Sequence, residues 1–187
     1  MKRSHSFIYL LAGCLLFSAC TQETNSSENS KISLSTEQLK IKEAWKSSHD
    51  WVKQITSSDT LIIRNTQWGV ALKEINEKIE LSESQPELGK SYSLYFDDSD
   101  LNFVDISYIP NNDGKLKEID LDIYVEEMPQ VGQLRQSLSS YFDVKFGPSV
   151  TKGTKTLWNQ NKNTQVELED VSTSKDPGIK VILKSKS

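Results

Sequence analysis

Groups able to make or break bonds are scarce in this sequence. Its 187 residues carry two cysteines, Cys14 and Cys20, and two histidines, His5 and His49. Both thiols fall at the start of the chain, so beyond residue 20 there is no disulfide, no cysteine nucleophile and no cysteine metal ligand. Any imidazole base or metal role in the body of the chain would fall to His49 alone. It lies among Ser47, Ser48 and Asp50, but adjacent residues on a helix do not face one another, so a solvated helix surface is expected there.

The carboxylates offer a second chemistry. Asp97-Asp98-Ser99-Asp100 could draw a hard cation, yet it lacks the spaced acids, central glycine and closing glutamate of a calcium hand, and a tight turn capped by Asp side chains is the expectation. Asp120 and Asp122 alternate with apolar residues and read as the wet side of a strand. Trp45, Trp51, Trp68 and Trp158 could line a ligand groove, since tryptophan is enriched at recognition surfaces. Most are expected in the core, and Trp68, next to Gly69, is the candidate binding residue. No glycine-rich phosphate loop, Gly-x-Ser-x-Gly elbow or His-Glu-x-x-His helix occurs. A non-enzyme with no cofactor and no metal is the expectation.

The first residues have the three parts of an export leader: Lys2, Arg3 and His5, then apolar Phe7 to Phe17, then small Ser18 and Ala19. The tetrapeptide Phe17-Ser18-Ala19-Cys20 resembles the lipobox of bacterial lipoproteins, with Phe17 departing from the usual leucine. The resemblance implies that the Cys20 thiol takes a diacylglyceryl group and that the chain is cut before it. Leu11-Ala12-Gly13-Cys14 also matches the lipobox, but it leaves an apolar stretch of only Phe7 to Leu11, short for a leader. Cys20 is favoured, with Cys14, an unlipidated leader and an uncleaved anchor as the alternatives. Thr21 does not resemble the aspartate that retains some lipoproteins at an inner membrane, which implies an outer membrane, facing the periplasm or the exterior.

Without residues 1–19 the chain has 20 basic against 26 acidic side chains, a balance of −6. Nucleic acid needs a basic face, so the charge balance argues against it and no nucleic-acid partner is expected. Mean hydropathy is −0.51. No later segment approaches the ~20 apolar residues that span a bilayer.

Residues 20–35 are rich in Ser, Asn, Glu and Thr and read as a flexible tether. A single α+β domain is expected over 36–187. Its N-terminal helix spans 36–56, with Ser35 or Thr36 as cap and Leu39, Ala44, Trp45, Trp51, Val52 and Ile55 apolar. A first unit over 60–126 should hold a short strand at 60–64, a helix at 69–79 and three strands at 91–96, 101–109 and 116–125, with Asn111-Asn112-Asp113-Gly114 as a hairpin turn. A second unit over 130–185 should hold a helix ending at Gly147-Pro148, then strands at 155–159, 164–171 and 178–184. Two helix-plus-three-strand units would then share one antiparallel sheet with helices on one face.

Trp68-Gly69 before a helix, the aromatic helix end Tyr141 to Pro148 and Leu157-Trp158 in the next strand carry a resemblance. The chain is similar over about residues 65–185 to small exported bacterial proteins with paired helix-plus-meander units. These include the β-lactamase inhibitor protein and the small lipoprotein of the outer-membrane β-barrel assembly machine. Anchor, tether and a domain without reactive groups together point to a membrane-anchored, non-catalytic protein-binding or assembly module, whose contacts are the membrane, through its lipid, and an unidentified envelope protein. A carboxylate-dependent envelope hydrolase and a small-ligand carrier are the alternatives.

Overall fold

Alternation of apolar and polar residues with a period of two, broken once by a run with a helical period, builds a sheet with one helix laid across it. A computed structural model describes residues 34–77, 80–81 and 89–186, the side chains of 80–81 excepted. The leader, Cys14, Cys20 and the tether up to residue 33 lie outside these residues.

Helix α1 (Thr36–Ser47) starts at a capping box, with Ser35 Oγ accepting from the Gln38 amide and Gln38 Oε1 accepting from the Ser35 amide. The single helix expected over 36–56 is in fact two. Ser47 Oγ donates to the Glu43 and Ala44 carbonyls and Ser48 Oγ to the Ala44 carbonyl, while Ser48 itself is extended. Hydroxyls that take backbone acceptors compete with helix continuation. His49 then caps α2 (Asp50–Ile55), its Nδ1 accepting from the Trp51 amide at 3.2 Å.

Two further expectations are corrected. Residues 60–64 form turns, not a strand. Arg64 and Asn65 take positive φ (43° and 61°), and the Arg64 guanidinium turns inward to the Gln54 carbonyl and to Glu77, at 3.0 and 2.8 Å. The helix expected at 69–79 is, over its described part, one turn at Leu72–Glu74; residues 78–79 lie outside the described set. Its backbone bonds go elsewhere: the Gly69 amide donates to the Leu116 carbonyl, the Leu116 amide to the Val70 carbonyl and the Leu72 amide to the Gly114 carbonyl. Trp68-Gly69 therefore leads into an edge of the neighbouring hairpin, and among its described residues the first unit has no α-helix of its own.

The strands are β1 (Glu80–Leu81), β2 (Lys90–Tyr95), β3 (Phe103–Pro110), β4 (Leu116–Tyr124), β5 (Val150–Lys152), β6 (Lys155–Trp158), β7 (Thr164–Asp170) and β8 (Gly178–Ser185). They form one antiparallel sheet in the order β1-β2-β3-β4-β8-β7-β6-β5. The two halves meet at β4 and β8, and the fold is α+β. The second half has four strands where three were expected, because Gly153 at φ 61° allows β5 to turn back onto β6.

The crossover from β4 to β5 is α3 (Met128–Phe146). Its buried residues Val131, Leu134, Leu138, Tyr141, Phe142 and Phe146 form one stripe, and Gly147, at φ 90°, ends it. The stripe covers Val166, Leu168, Ile179, Val181, Leu183 and Trp158, all fully buried. Each such aliphatic side chain contributes about 1.5–3 kcal/mol through burial. Helices α1 and α2 pack onto α3 on this same side. None of the described helices is long and apolar enough to cross a membrane.

Gly178, where β8 begins beside β4, has no room for a side chain: a Cβ there would lie 2.8 Å from the Ile123 carbonyl oxygen. Gly178→Ala is expected to cost about 1–3 kcal/mol by prising the two strands apart. A chemical denaturation midpoint equal to wild type would contradict this.

Candidate functional site

The helices cover one face of the sheet, and the register places on the other face every residue of the opposite phase. Four cross-strand rows result. The end row is Tyr95, Phe103 and Tyr124, then Gly178, then Val171, whose amide bonds the Gly178 carbonyl. Next come Ser93, Asp105, Asp122, Lys180, Glu169, Lys155 and Lys152, followed by Ser91, Ser107, Asp120, Ile182, Glu167, Leu157 and Val150. The last holds Ile109, Glu118, Lys184 and Gln165.

The aromatic row is a surface feature. Tyr95 is 46% exposed, Tyr124 39% and Val171 46%. Phe103 stacks on Tyr124, centroids 4.7 Å apart and planes at 23°, and lies 5.6 Å from Tyr95. Three aromatic side chains left outside the core are an observation that asks for a partner, since exposed aromatics mark recognition surfaces.

The charges beside them are unevenly spread. Strands β3 and β4 give the face Asp105, Glu118, Asp120 and Asp122 and no base, whereas the lysines come from β8 and the outer strands. Lys180 Nζ bonds Asp122 at 2.9 Å and lies 3.7 Å from Asp120, Lys184 pairs with Glu118 at 3.0 Å, and Lys155 pairs with Glu167 and Glu169. Asp105 faces Asp122 directly across the ladder and accepts from the Ser93 hydroxyl at 2.6 Å. Like charges in that position are destabilising.

Burial, together with the like charges of Glu118 and Asp122, raises Asp120 to about 6 against the pull of Lys180. Its inward Oδ1 has no hydrogen-bond partner among the described residues. A raised carboxyl contributes stability in full below the unfolded value of 3.8, and this is lost as pH rises through about 6. Asp120→Asn is therefore expected to add about 1–2 kcal/mol at neutral pH and to flatten the stability profile between those values. An unchanged profile in acid titrations would count against it.

The helix side of the sheet carries cavities, two of them bordered by residues the sequence singled out. A groove of about 1140 Å³ between α1 and α3 is lined by Leu39, Ala44, His49, Ser137, Tyr141 and Val144 among others, with Glu43 as its one acid. A smaller one, about 410 Å³, is bordered by Trp68, Ile41, Lys145, Phe146 and Thr164. Trp68 is half-buried there, its indole N–H donating to Thr164 Oγ1 at 2.9 Å. Thr164 shares its phase with buried Val166 and Leu168, so Trp68 and the carboxylates of β4 lie on opposite faces of the sheet.

Lys145 is the one buried amine, 7% exposed, among the described residues. Its Nζ donates to Ser57 Oγ at 3.0 Å, the Asp59 carbonyl at 3.2 Å and Tyr141 Oη at 2.8 Å. Both hydroxyls spend their own protons on carbonyls, Ser57 on Leu61 and Tyr141 on Ser57. Three acceptors around one amine suit the ammonium, while burial lowers its pKa to about 7. The arrangement ties the 57–61 loop to α3.

The remaining candidates have structural roles. His49 caps α2, and its amide donates to Ser137 Oγ. Asp97 accepts from the Ser99 amide and from Asn102 Nδ2, closing a turn. No group of three or more His, Cys, Asp or Glu side chains able to hold a metal occurs among the described residues. Trp158 is fully buried, and Trp45 and Trp51 pack against the core. Sequence reasoning placed Asp120 and Asp122 on the open face but missed the aromatic row; the signal was Tyr124 in the polar phase of the strand whose apolar phase is Ile119, Leu121 and Ile123.

No protein-family model matches this chain, and neither a curated protein nor a solved structure matches it.

Proposed function

We propose that this protein is a non-catalytic binding or assembly module, moored by lipid on Cys20 to an envelope membrane, that meets a protein partner with the open face of its sheet. The observation that carries the reading is the uncovered row of Tyr95, Phe103 and Tyr124 beside carboxylates. Exposed ion pairs on such a face contribute about 0–1 kcal/mol each, so stability alone gives little reason for that arrangement. The mooring rests on the likeness of residues 17–20 to a lipobox, and an outer-membrane position on Thr21. The likeness to paired helix-plus-meander proteins rests on Trp68-Gly69, on Tyr141 to Pro148 and on Leu157-Trp158, and it carries no residue role.

Metabolic labelling with palmitate should mark the wild type and Cys14→Ala but not Cys20→Ala; loss of label in Cys14→Ala alone would move the anchor. A photo-crosslinking side chain at position 95 should trap a specific envelope protein that one at position 136, on the helix side, does not. The reverse pattern overturns the open-face reading.

One observation favours a second reading, a carrier of a small ligand: the groove of about 1140 Å³ between α1 and α3. Mass retained on the purified protein in native mass spectrometry would support it. A carboxylate hydrolase has less behind it, since that groove is lined by one acid, Glu43, which is paired with Lys46 at 2.9 Å.

A further inference from the structure

We propose that the β2–β3–β4 end of the open face receives a Lys- or Arg-bearing segment of a protein partner, its cationic groups seated against Tyr124 and between Asp105 and Asp122. This rests on the reading of the open face as the working surface.

Charge complementarity is the first argument. Around the Tyr124 phenol stand Asp122, Asp105 and Asp176, opposed by Lys180. Lys180 is already committed to Asp122 and Asp120, and Asp105 is left with the Ser93 hydroxyl. The Asp105–Asp122 opposition costs stability in the free protein. A partner's cation placed there turns the repulsion into two attractions.

The aromatic row supplies the second argument. Phe103 and Tyr124 stack with their faces turned to one another, so the bare face of Tyr124 is the one toward β8. The next residue in the row is Gly178, which puts no side chain between Tyr124 and Val171. A side chain at position 178 is excluded by the Ile123 carbonyl, so the gap in the row of side chains is a fixed part of the sheet. A guanidinium or ammonium over a tyrosine face gains cation–π attraction, and the long stem of Lys or Arg covers apolar surface. A neutral sugar would instead need flat, unshared ring faces, and the central ring of this row has none to offer.

The test uses the full protein and three short synthetic peptides in which valine alternates with lysine, serine or glutamate, with nuclear magnetic resonance shifts of Tyr95, Tyr124 and Val171 as readout. The lysine peptide should shift all three resonances and bind at least ~10-fold more tightly than the serine peptide, with affinity falling ~10-fold or more between about 50 and 500 mM salt. Asp105→Asn/Asp122→Asn should lose ~10-fold or more in affinity while keeping the wild-type melting temperature or exceeding it, because both carboxyls lie on the uncovered face. If the serine or glutamate peptide binds the same three residues as tightly, and salt has no effect, the cationic partner is wrong although the face remains the working surface. A cello-oligosaccharide that shifts the aromatic row equally in wild type and the double variant has the same meaning. If the lysine peptide shifts none of the three residues, or only residues of the α1–α3 groove, the inference and the open-face reading fall together.

Discussion

Trp158→Ala is expected to lower stability by about 3–5 kcal/mol, a large part of the roughly 5–15 kcal/mol that holds a domain of this kind together. Trp158 is fully buried, edge-on to Phe142 with centroids 5.4 Å apart, and its indole N–H donates to Asp143 Oδ1 at 2.8 Å. Truncation opens a cavity where α3 meets β6 and strips Asp143 of that donor, so a transfer loss and a polar loss add. Trp158→Phe keeps most of the ring volume and loses only the N–H, and about 1–2 kcal/mol is expected. Urea unfolding followed by circular dichroism reads both. Equal losses for the two variants would mean that the hydrogen bond, and not the packing, carries the effect.

The second large effect is a dependence on pH set by Lys145. With a folded value of about 7 and an ordinary value of 10.5, the native state sheds its proton first. Between those values the unfolded chain holds the extra proton, so stability rises with pH, by an amount on the order of a few kcal/mol. Tyr108 and Tyr141 act in the opposite sense. Burial raises both phenols above 10, so their contribution is present below 10 and lost as pH rises further. The expected profile climbs from pH 7, peaks near pH 10 and then falls. Lys145→Met should remove the climb and keep the fall. Its stability in acid should change less than the slope does, because methionine leaves Ser57, Asp59 and Tyr141 without a donor while ending the burial of a charge. Thermal melts in a series of buffers decide the matter, and a climb that survives in Lys145→Met refutes the assignment.

The acidic side of the profile has a separate origin. Asp120 acts between about 4 and 6, well away from Lys145, so the two variants are separable by pH alone. Asp120 lies on the proposed binding face and Lys145 on the helix side. A ligand on the open face should therefore move the acid limb of the profile and leave the alkaline limb in place.

Much of the fold was legible because strands and amphipathic helices leave local periods. Ile119, Leu121 and Ile123 alternate with acids and form β4, and Val131, Leu134, Leu138 and Phe142 recur at helical steps and form α3. The turn at Asn111 to Gly114 was equally local, Asn111 Oδ1 accepting from the Asp113 and Lys115 amides. Residues 69–77 defeated the same reasoning. Val70, Leu72 and Ile75 suit a helix by spacing, but the Val70 carbonyl and the Leu72 amide find their partners more than forty residues ahead, at Leu116 and Gly114, and no local period encodes a bond of that range. The break at Ser48 was missed for a related reason, since a serine hydroxyl can either face water or take a carbonyl from its own helix.

By itself the sequence determined the phase of each long strand, the stripe of α3, the placing of Asp120 and Asp122 in the phase opposite the core, the absence of thiols beyond residue 20 and the leader-like start. All of these are set by neighbours in the chain or by composition. Tertiary structure alone decided that β4 and β8 meet at the centre, that Tyr95, Phe103 and Tyr124 fall in one row, that Gly178 comes next in that row and that Lys145 is buried without a carboxylate at its amine. Those outcomes depend on register between distant strands, and register follows from how two apolar faces pack together rather than from any single stretch of residues.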